Sequence, residues 1–356
     1  MRANHKSRRW VRLLAFTLVG LVVLELGWRA YLFHVAPLRR VAKFARLADM
    51  PAQAYRYRPH PYLIYALNEE FRSDDGRTRH NSHGCRGPEF ELHKAPGTYR
   101  IVCVGGSTTY DSAVSDDART YPAELGRVLR EVHGREHVEV INAGVPGYTS
   151  WESLLVLQLR MFEFEPDLVV YYENINDVRP RLVPPERYRR DNSGWRTAWD
   201  TTSPIWDHSL LVRWLGVQVG FSPRNDLAER TTIPVPHDLD LEAALSANPP
   251  VHLANNLVDM VALTRYRHVA LMVTSFAWCP DKHDEAATPA WQRALTENNA
   301  AIQRVARDNQ VPWYDFAAEM PRSADLWDDG VHVNERGASA QAELFARFIA
   351  EHFLAR

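Results

Sequence analysis

Four short segments of this 356-residue chain carry side chains suited to acyl transfer. Near the C-terminus, DDGVHVNERGASA places Asp329 and His332 three apart, just ahead of a helical pattern. An acyl-transfer serine needs a base within hydrogen-bond reach and a carboxylate that fixes the tautomer of that base. A short Asp-x-x-His loop can supply both, with Asp328 a competing acid at spacing four. The candidate serine is Ser107, in RIVCVGGST, where a β-branched run meets Gly105 and Gly106. Glycines there permit conformations that L-residues avoid and let a substrate approach the backbone, which suits a nucleophile whose own N–H helps hold an oxyanion. Two further runs end in neutral donors: VEVINAG in Asn142 and Gly144, and DLVVYYENIND in Asn176. Gly144 offers an unobstructed backbone N–H and Asn176 a side-chain amide, the groups a tetrahedral oxyanion needs. Each feature also has an ordinary structural reading: a Gly-Gly-Ser turn, a pair of Asx turns, or an Asp capping the last helix with a His beside it. Three consecutive strands delivering such residues to one edge favours the catalytic reading.

The elements that would position these residues are legible from Tyr99 onward. Five buried runs, RIVCVGG, VEVINAG, DLVVYY, HVALMVTS and VPWYDF, alternate with helical patterns. Leu125, Val128, Leu129 and Val132 recur at helical spacing, Thr149 and Glu152 form a capping box ahead of WESLLVLQLRMF, and Ala338, Ala342, Phe345 and Ile349 mark a closing helix. Strands alternating with helices predict a five-stranded parallel sheet covered on both faces, with functional groups gathered at the C-terminal strand ends. Residues 178–239 break the rhythm with many prolines, tryptophans and arginines and no period, which reads as an insertion. A substrate-facing cap and a surface excursion over a helix seam remain equal readings of it.

At the other end, 12 uncharged residues, LLAFTLVGLVVL, lie between Arg12 and Glu25. The window from Val11 to Phe33 supplies the roughly 20 apolar residues of a membrane-spanning helix if Arg12 and Arg29 snorkel; Glu25 is its weak point. No A-x-A-like site follows the apolar run, so the expectation for residues 1–34 is an uncleaved anchor. Its flanks are both basic (Arg2, Lys6, Arg8 and Arg9 against Arg39, Arg40, Lys43 and Arg46), and the charge rule barely decides orientation. Residues 35–96, rich in Arg, Tyr, His and Pro, read as a linker and a loop-rich shoulder, ahead of a domain over residues 97–356.

Composition narrows the classes. Lys and Arg number 42 and Asp and Glu 44, a net charge of -2, so the footprint of non-specific nucleic-acid binding is missing. Cys85, Cys103 and Cys279 are too few for a disulfide scaffold. A Cys85–Cys279 pairing is conceivable in an oxidising compartment, while Cys103 sits in an apolar strand as a small hydrophobe. His80, His83 and Cys85 in HNSHGC invite a metal reading, weakened by the lack of a fourth ligand nearby; packing of that loop against the core is favoured. Arg179, Arg181, Arg187, Arg189 and Arg190 read as solvated charge ahead of an anionic-glycan site. The glycine turn lacks the lysine of GxxxxGK[ST], which removes phosphate-loop chemistry.

Taken together the chain resembles the SGNH (GDSL-type) hydrolases. GGST is similar to that family's first block, NAGVPG to its second, NIND to its third and DGVH to its last, in order, over about residues 98 to 354. The family's GDS is here GGS, with Gly106 in place of an Asp that is not the triad acid. RYRPHPYLIYALN and NSHGCRGPE further resemble the N-terminally anchored bacterial members. The resemblance implies a flavodoxin-like three-layer α/β/α sandwich and a triad of Ser107, His332 and Asp329. It also implies an oxyanion hole from Ser107, Gly144 and Asn176, with no metal or other cofactor. It implies a catalytic domain outside the cytoplasm acting on acyl esters, O-acetyl esters foremost, of a carbohydrate or lipid. An O-acyltransferase on an envelope or exported polysaccharide, and a catalytically silent carbohydrate-binding protein, are the alternatives.

Overall fold

Contiguous β-branched and apolar residues make a strand wherever both faces of a sheet are buried, and all five such runs form strands in the computed structural model of the chain. The structure describes residues 3–37, 41–46, 49, 52–199, 204–222, 224, 230–282 and 284–354. Arg2, Arg39 and Arg40 of the basic flanks, and residues 200–203, 223 and 225–229 of the insertion, lie outside the described residues. By its contacts the chain divides into two units, residues 1–56 with 198–232 and residues 57–197 with 233–356.

The second unit opens with an antiparallel hairpin, β1 (Tyr57–His60) and β2 (Ile64–Leu67). Its sheet is built from β3 (Tyr99–Gly105), β4 (Val138–Asn142), β5 (Leu168–Tyr172), β6 (Ala270–Thr274) and β7 (Trp313–Tyr314), in the spatial order β4-β3-β5-β6-β7. Every pair is parallel. This is the flavodoxin-like order, in which the chain turns away from the first strand in opposite directions and leaves a crevice at its carboxyl end. Ser107 follows that first strand.

Two helical layers cover the sheet. On one face α3 (Tyr121–Glu131) packs against the closing helix α11 (Glu335–His352). Leu125, Val128, Leu129, Ala338, Ala342, Phe345 and Ile349 are buried there in one cluster with Ile101, Cys103, Leu168, Val170, Tyr172 and Met272. Val132, expected on that stripe, instead caps α3 and is exposed. A strand's period of two turns Val102, Val104, Val169, Tyr171, Leu271 and Val273 to the other face, where α4 (Ser150–Leu159) and α8 (Val251–Tyr266) pack together. The capping box that starts α4 is complete, with Thr149 and Glu152 each satisfying the other's backbone. Three further helices of this unit are α2 (Ser107–Tyr110), α5 (Ile175–Val178) and α7 (Leu241–Ala247); α9 (Pro289–Asp308) and α10 (Phe316–Glu319) complete it.

The first unit contains α1 (Ala3–His34), whose stretch Arg8–His34 is long and apolar enough to cross a membrane; its residues from Arg8 to Leu24 are exposed. Part of the insertion belongs with it. In that part, α6 (Leu210–Gln218) sets its N-terminus against Glu25. The Glu25 carboxylate accepts from Ser209 Oγ (2.7 Å), Leu210 N–H (2.8 Å), Leu211 N–H (3.0 Å) and Arg29 Nε (2.7 Å). A carboxylate that looked misplaced in an apolar helix is thus fully bonded. Leu32, Val41, Phe44, Ala45, Leu210 and Val217 form the small core of this unit. Where the chain returns from it to the second unit, Ile233 N–H donates to Trp195 O at 2.7 Å.

Candidate active site

Ser107 is the first residue of α2, separated from β3 by Gly106 alone, so its N–H belongs to the orphan donors of a helix start. Its hydroxyl lies 2.7 Å from His332 Nε2, and His332 Nδ1 lies 2.7 Å from Asp329 Oδ2. A carboxylate only accepts, so Nδ1 carries the ring proton and Nε2 is left to accept from the serine. The other Asp329 oxygen, Oδ1, accepts the N–H groups of Val331 (2.8 Å) and His332 (2.7 Å). Burial works against the Asp329 charge, yet the His332 ring and these backbone donors hold its carboxyl below the usual carboxylate range. Asp328 is exposed and contributes only its N–H, to His332 O at 2.9 Å. The cap of α11 is Asn334, whose Oδ1 accepts from Arg336 and Gly337, so Asp329 is not used up as a helix cap. The loop is closed by a bridge between Trp327 and Val333 and braced by Asp284 on Gly330 N–H.

The glycines before Ser107 serve a different purpose from the one their type suggests. Gly106 has φ of -90°, which any residue adopts. A Cβ at Gly106 would instead collide with Glu173 Oε2 and Asn176 Nδ2, and one at Gly105 with Tyr172 O and Thr109 Oγ1. Space, not backbone freedom, demands glycine. Thr109 Oγ1 donates to Tyr172 O (2.8 Å), tying α2 to the end of β5. Glu173, fully buried, occupies the room beside Gly106; its Oε1 accepts Asn176 N–H (2.8 Å), and burial pushes its carboxyl up to about 8.

The expected oxyanion donors sit at the carboxyl ends of their strands. Asn176 lies in α5, and its Nδ2 donates to Tyr148 O at 2.9 Å, which fixes the amide plane and leaves its second N–H to offer. Gly144 packs so closely that a Cβ would strike the backbone of Thr109 and Tyr110. Its N–H donates to Asn142 Oδ1 at 3.1 Å within its own loop. Asp177 accepts from Ser150 Oγ (2.6 Å) and N–H (2.8 Å), joining α5 to the start of α4.

Sequence reasoning missed the part played by HNSHGCRG. Arg86, buried, donates to the carbonyls of Tyr110 (3.0 Å), Asp111 (2.8 Å) and Val114 (2.7 Å) and pairs with Asp117 (2.7 Å). One guanidinium thereby holds the loop that leaves Ser107. His80 Nδ1 meets Asn68 O (2.7 Å) and its Nε2 meets Tyr110 OH (3.0 Å), while His83 Nε2 meets Phe90 O (2.9 Å). Ring nitrogens so engaged do not form a metal site, and the loop is a support. The Cys85–Cys279 pairing is overturned: both thiols are free and buried, Cys279 Sγ facing Arg322 O at 3.2 Å and Cys85 packed in its own loop. Arg181 departs from both readings of the arginine run. It is buried and bonded to Asn248 O (2.8 Å), Asn298 Oδ1 (2.8 Å) and Glu297.

A second acid lies near the pair. Asp111, in the left-handed region at φ 68°, accepts Tyr121 N–H at 2.7 Å, and burial pushes its carboxyl up to about 7 against the pull of Tyr121, Arg86 and His332. The arrangement of Ser107, His332 and Asp329 satisfies the hydrogen-bond geometry of a nucleophile, its base and the group that orients the base.

No curated protein matches the chain. Among solved structures it is similar to a GDSL-like lipase from Bacteroides thetaiotaomicron (17% identity, TM-score 0.40, covering 71% of this chain and 88% of the other). A lipase/acylhydrolase from Enterococcus faecalis is similar at 18% identity and TM-score 0.44, over 71% and 96% of the two chains. An acetyl xylan esterase from Geobacillus stearothermophilus is similar at 16% identity and TM-score 0.43, over 73% and 97%. The model of the GDSL-like lipase/acylhydrolase family matches residues 103–340, a span that begins inside β3 and ends inside α11 and so holds all of the sheet but the first four residues of β3. The chain belongs to the GDSL-like lipase/acylhydrolase family, the SGNH-type esterases.

Proposed function

We propose that Ser107 is the nucleophile of an acyl-ester hydrolase whose base is His332, oriented by Asp329. The observation that carries this reading is the unbroken chain from Ser107 Oγ through both ring nitrogens of His332 to the Asp329 carboxylate, 2.7 Å at each step. As Oγ attacks an ester carbonyl, its proton passes to Nε2 and the imidazolium is stabilised by Asp329. The alkoxide of the tetrahedral intermediate is received by Ser107 N–H and Asn176 Nδ2, and by Gly144 N–H once it gives up Asn142. Collapse expels the alcohol, which takes the proton from His332. Water, deprotonated by the same ring, then releases the acid and restores the serine.

The substrate is an O-acyl ester, O-acetyl foremost, on a carbohydrate or lipid outside the cytoplasm, reached by a catalytic domain held at the membrane by α1. What supports this placement is the length and apolar character of α1 together with the resemblance of RYRPHPYLIYALN and NSHGCRGPE to anchored bacterial members of the family. The test is hydrolysis of an aryl acetate by the full chain in detergent, beside Ser107→Ala and His332→Ala. Each variant should lose on the order of 10⁴- to 10⁶-fold in kcat with its far-UV spectrum unchanged. Equal activity in wild type and both variants would refute the assignment.

A further inference from the structure

The insertion carries a surface that the esterase chemistry does not use. From Pro204 to Ser222 the only acidic and basic side chains besides His208 are Asp207 and Arg213, and both are buried against each other. Ser222 Oγ donates to Asp207 Oδ1 at 3.1 Å, and Arg213 also bonds Phe44 O. The outer face therefore carries no carboxylate or guanidinium and exposes Ile205 (83%), Val219 (78%) and Phe221 (68%), with Trp206, Val212 and Leu215 also exposed. Val212, Leu215 and Val219 fall at i, i+3 and i+7 along α6 and its end, one side of a helix. Gly220, at φ 75°, turns the chain back so that Phe221 N–H bonds Gly216 O at 2.7 Å. A contiguous apolar patch of this kind on a soluble surface marks an interaction site.

The occupant is indicated by what the patch continues. Its helix is bonded through its N-terminus to Glu25 of α1, and Trp214 meets Trp28 with ring centroids 4.9 Å apart, Tyr31 stacking on Trp28 at 5.6 Å. Trp10 and Trp28 stand 18 residues apart, ~27 Å of helix axis, close to the roughly 30 Å of a hydrocarbon core. Aromatic residues collect at the two faces of that core, so Trp28, Tyr31 and Trp214 mark one of them. Glu25 lies three residues inside Trp28, ~5 Å deeper, which is the depth of about 5–10 Å at which interfacial helices seat.

We propose that residues 204–222 are a second membrane element, lying in the headgroup–acyl boundary beside α1 with Val212, Leu215, Val219 and Phe221 toward the acyl chains. The proposal rests on α1 spanning the bilayer. The full chain is reconstituted in phosphatidylethanolamine and phosphatidylglycerol vesicles with a nitrobenzoxadiazole label on Val219→Cys, the native thiols being buried; Val212→Cys and Phe221→Cys repeat the measurement. The expected result is quenching by a shallow doxyl-labelled lipid and protection from aqueous iodide, several-fold in each case relative to the detergent-solubilised protein. Iodide quenching on a chain that stays with the vesicles through an alkaline wash would overturn the proposal and leave the anchor standing. Protection from both quenchers would mean a covering protein, such as a second copy, and would overturn it too. Release by the alkaline wash would remove the spanning helix and the proposal with it.

Discussion

Asp329 is held on both oxygens by its own loop, two backbone N–H groups on one and the His332 ring on the other. Replacing it by Asn keeps the shape but presents an amide N–H where only an acceptor fits, so the ring turns to the wrong tautomer. Asp329→Asn should lower kcat by about 10⁴-fold, whereas Asp328→Asn, exposed and bonded only through its backbone, should stay within a few-fold of wild type in the same aryl acetate assay. Gly106→Ala tests the crowding argument. The added methyl meets Glu173 and Asn176, so the variant should lose activity together with about 1–3 kcal/mol of stability, read by urea unfolding. Asp329 and His332 were legible as candidates from their spacing of three, and Ser107 from the Gly-Gly at a strand end. Glu173 was not, because its relation to Gly106 exists only once β3 and β5 are neighbours; the letter E at a strand end carries no sign of what it will face.

At the scale of elements, strands and the long helices declared themselves through period and composition, since burial on two faces or one stripe leaves a repeating mark. Residues 57–96 left none. Their ties to the loop after Ser107 gather on one cation, Arg86, and several backbone carbonyls, a kind of bonding that has no period in sequence. Arg86→Met tests how much that cation supports. Removing the charge strands part-buried Asp117 and three carbonyls, and losing one partner of a fully buried pair costs about 3–5 kcal/mol; chemical denaturation should show a loss toward the lower end of that range, with Arg86→Lys recovering only part of it, because an ammonium cannot reach all four acceptors in a plane. The insertion, read equally as a cap or an excursion, proved to be divided. Residues 178–197 pack with the sheet unit, while 198–232 join α1. Its arginines could not show this, since Arg181 as a buried post and Arg189 as an exposed charge look alike in sequence.

For the whole molecule, titration and folding are linked through three buried acids. Burial raises Asp111 to about 7, Glu173 to about 8 and Asp177 to about 7, from ordinary values of 3.8, 4.5 and 3.8. Between those ranges the native chain keeps protons that the unfolded chain has shed, so stability falls as pH rises. Carboxyls held low, Asp329 and Glu297 among them, act in the opposite sense, their contribution vanishing as pH drops through the acid range. The melting temperature should therefore be highest near about pH 5 and decline toward pH 8, and Glu173→Gln should flatten that decline. A midpoint that climbs over the same interval would contradict the assignment of buried neutral acids.

The side-by-side exit and return of the chain at Trp195 and Ile233 bears on how this enzyme is made and how it can be cut. On the ribosome α1 emerges more than 150 residues before α6, so the carboxylate of Glu25 must wait, bonded only to Arg29, until the middle of the polypeptide has been translated. For the same reason, trimming the N-terminal 56 residues alone orphans Leu210 and Val217 and invites aggregation. Excising 198–232 as well, with a short Gly-Ser bridge across a gap already spanned by one hydrogen bond, should give a secretable esterase that needs neither detergent nor lipid.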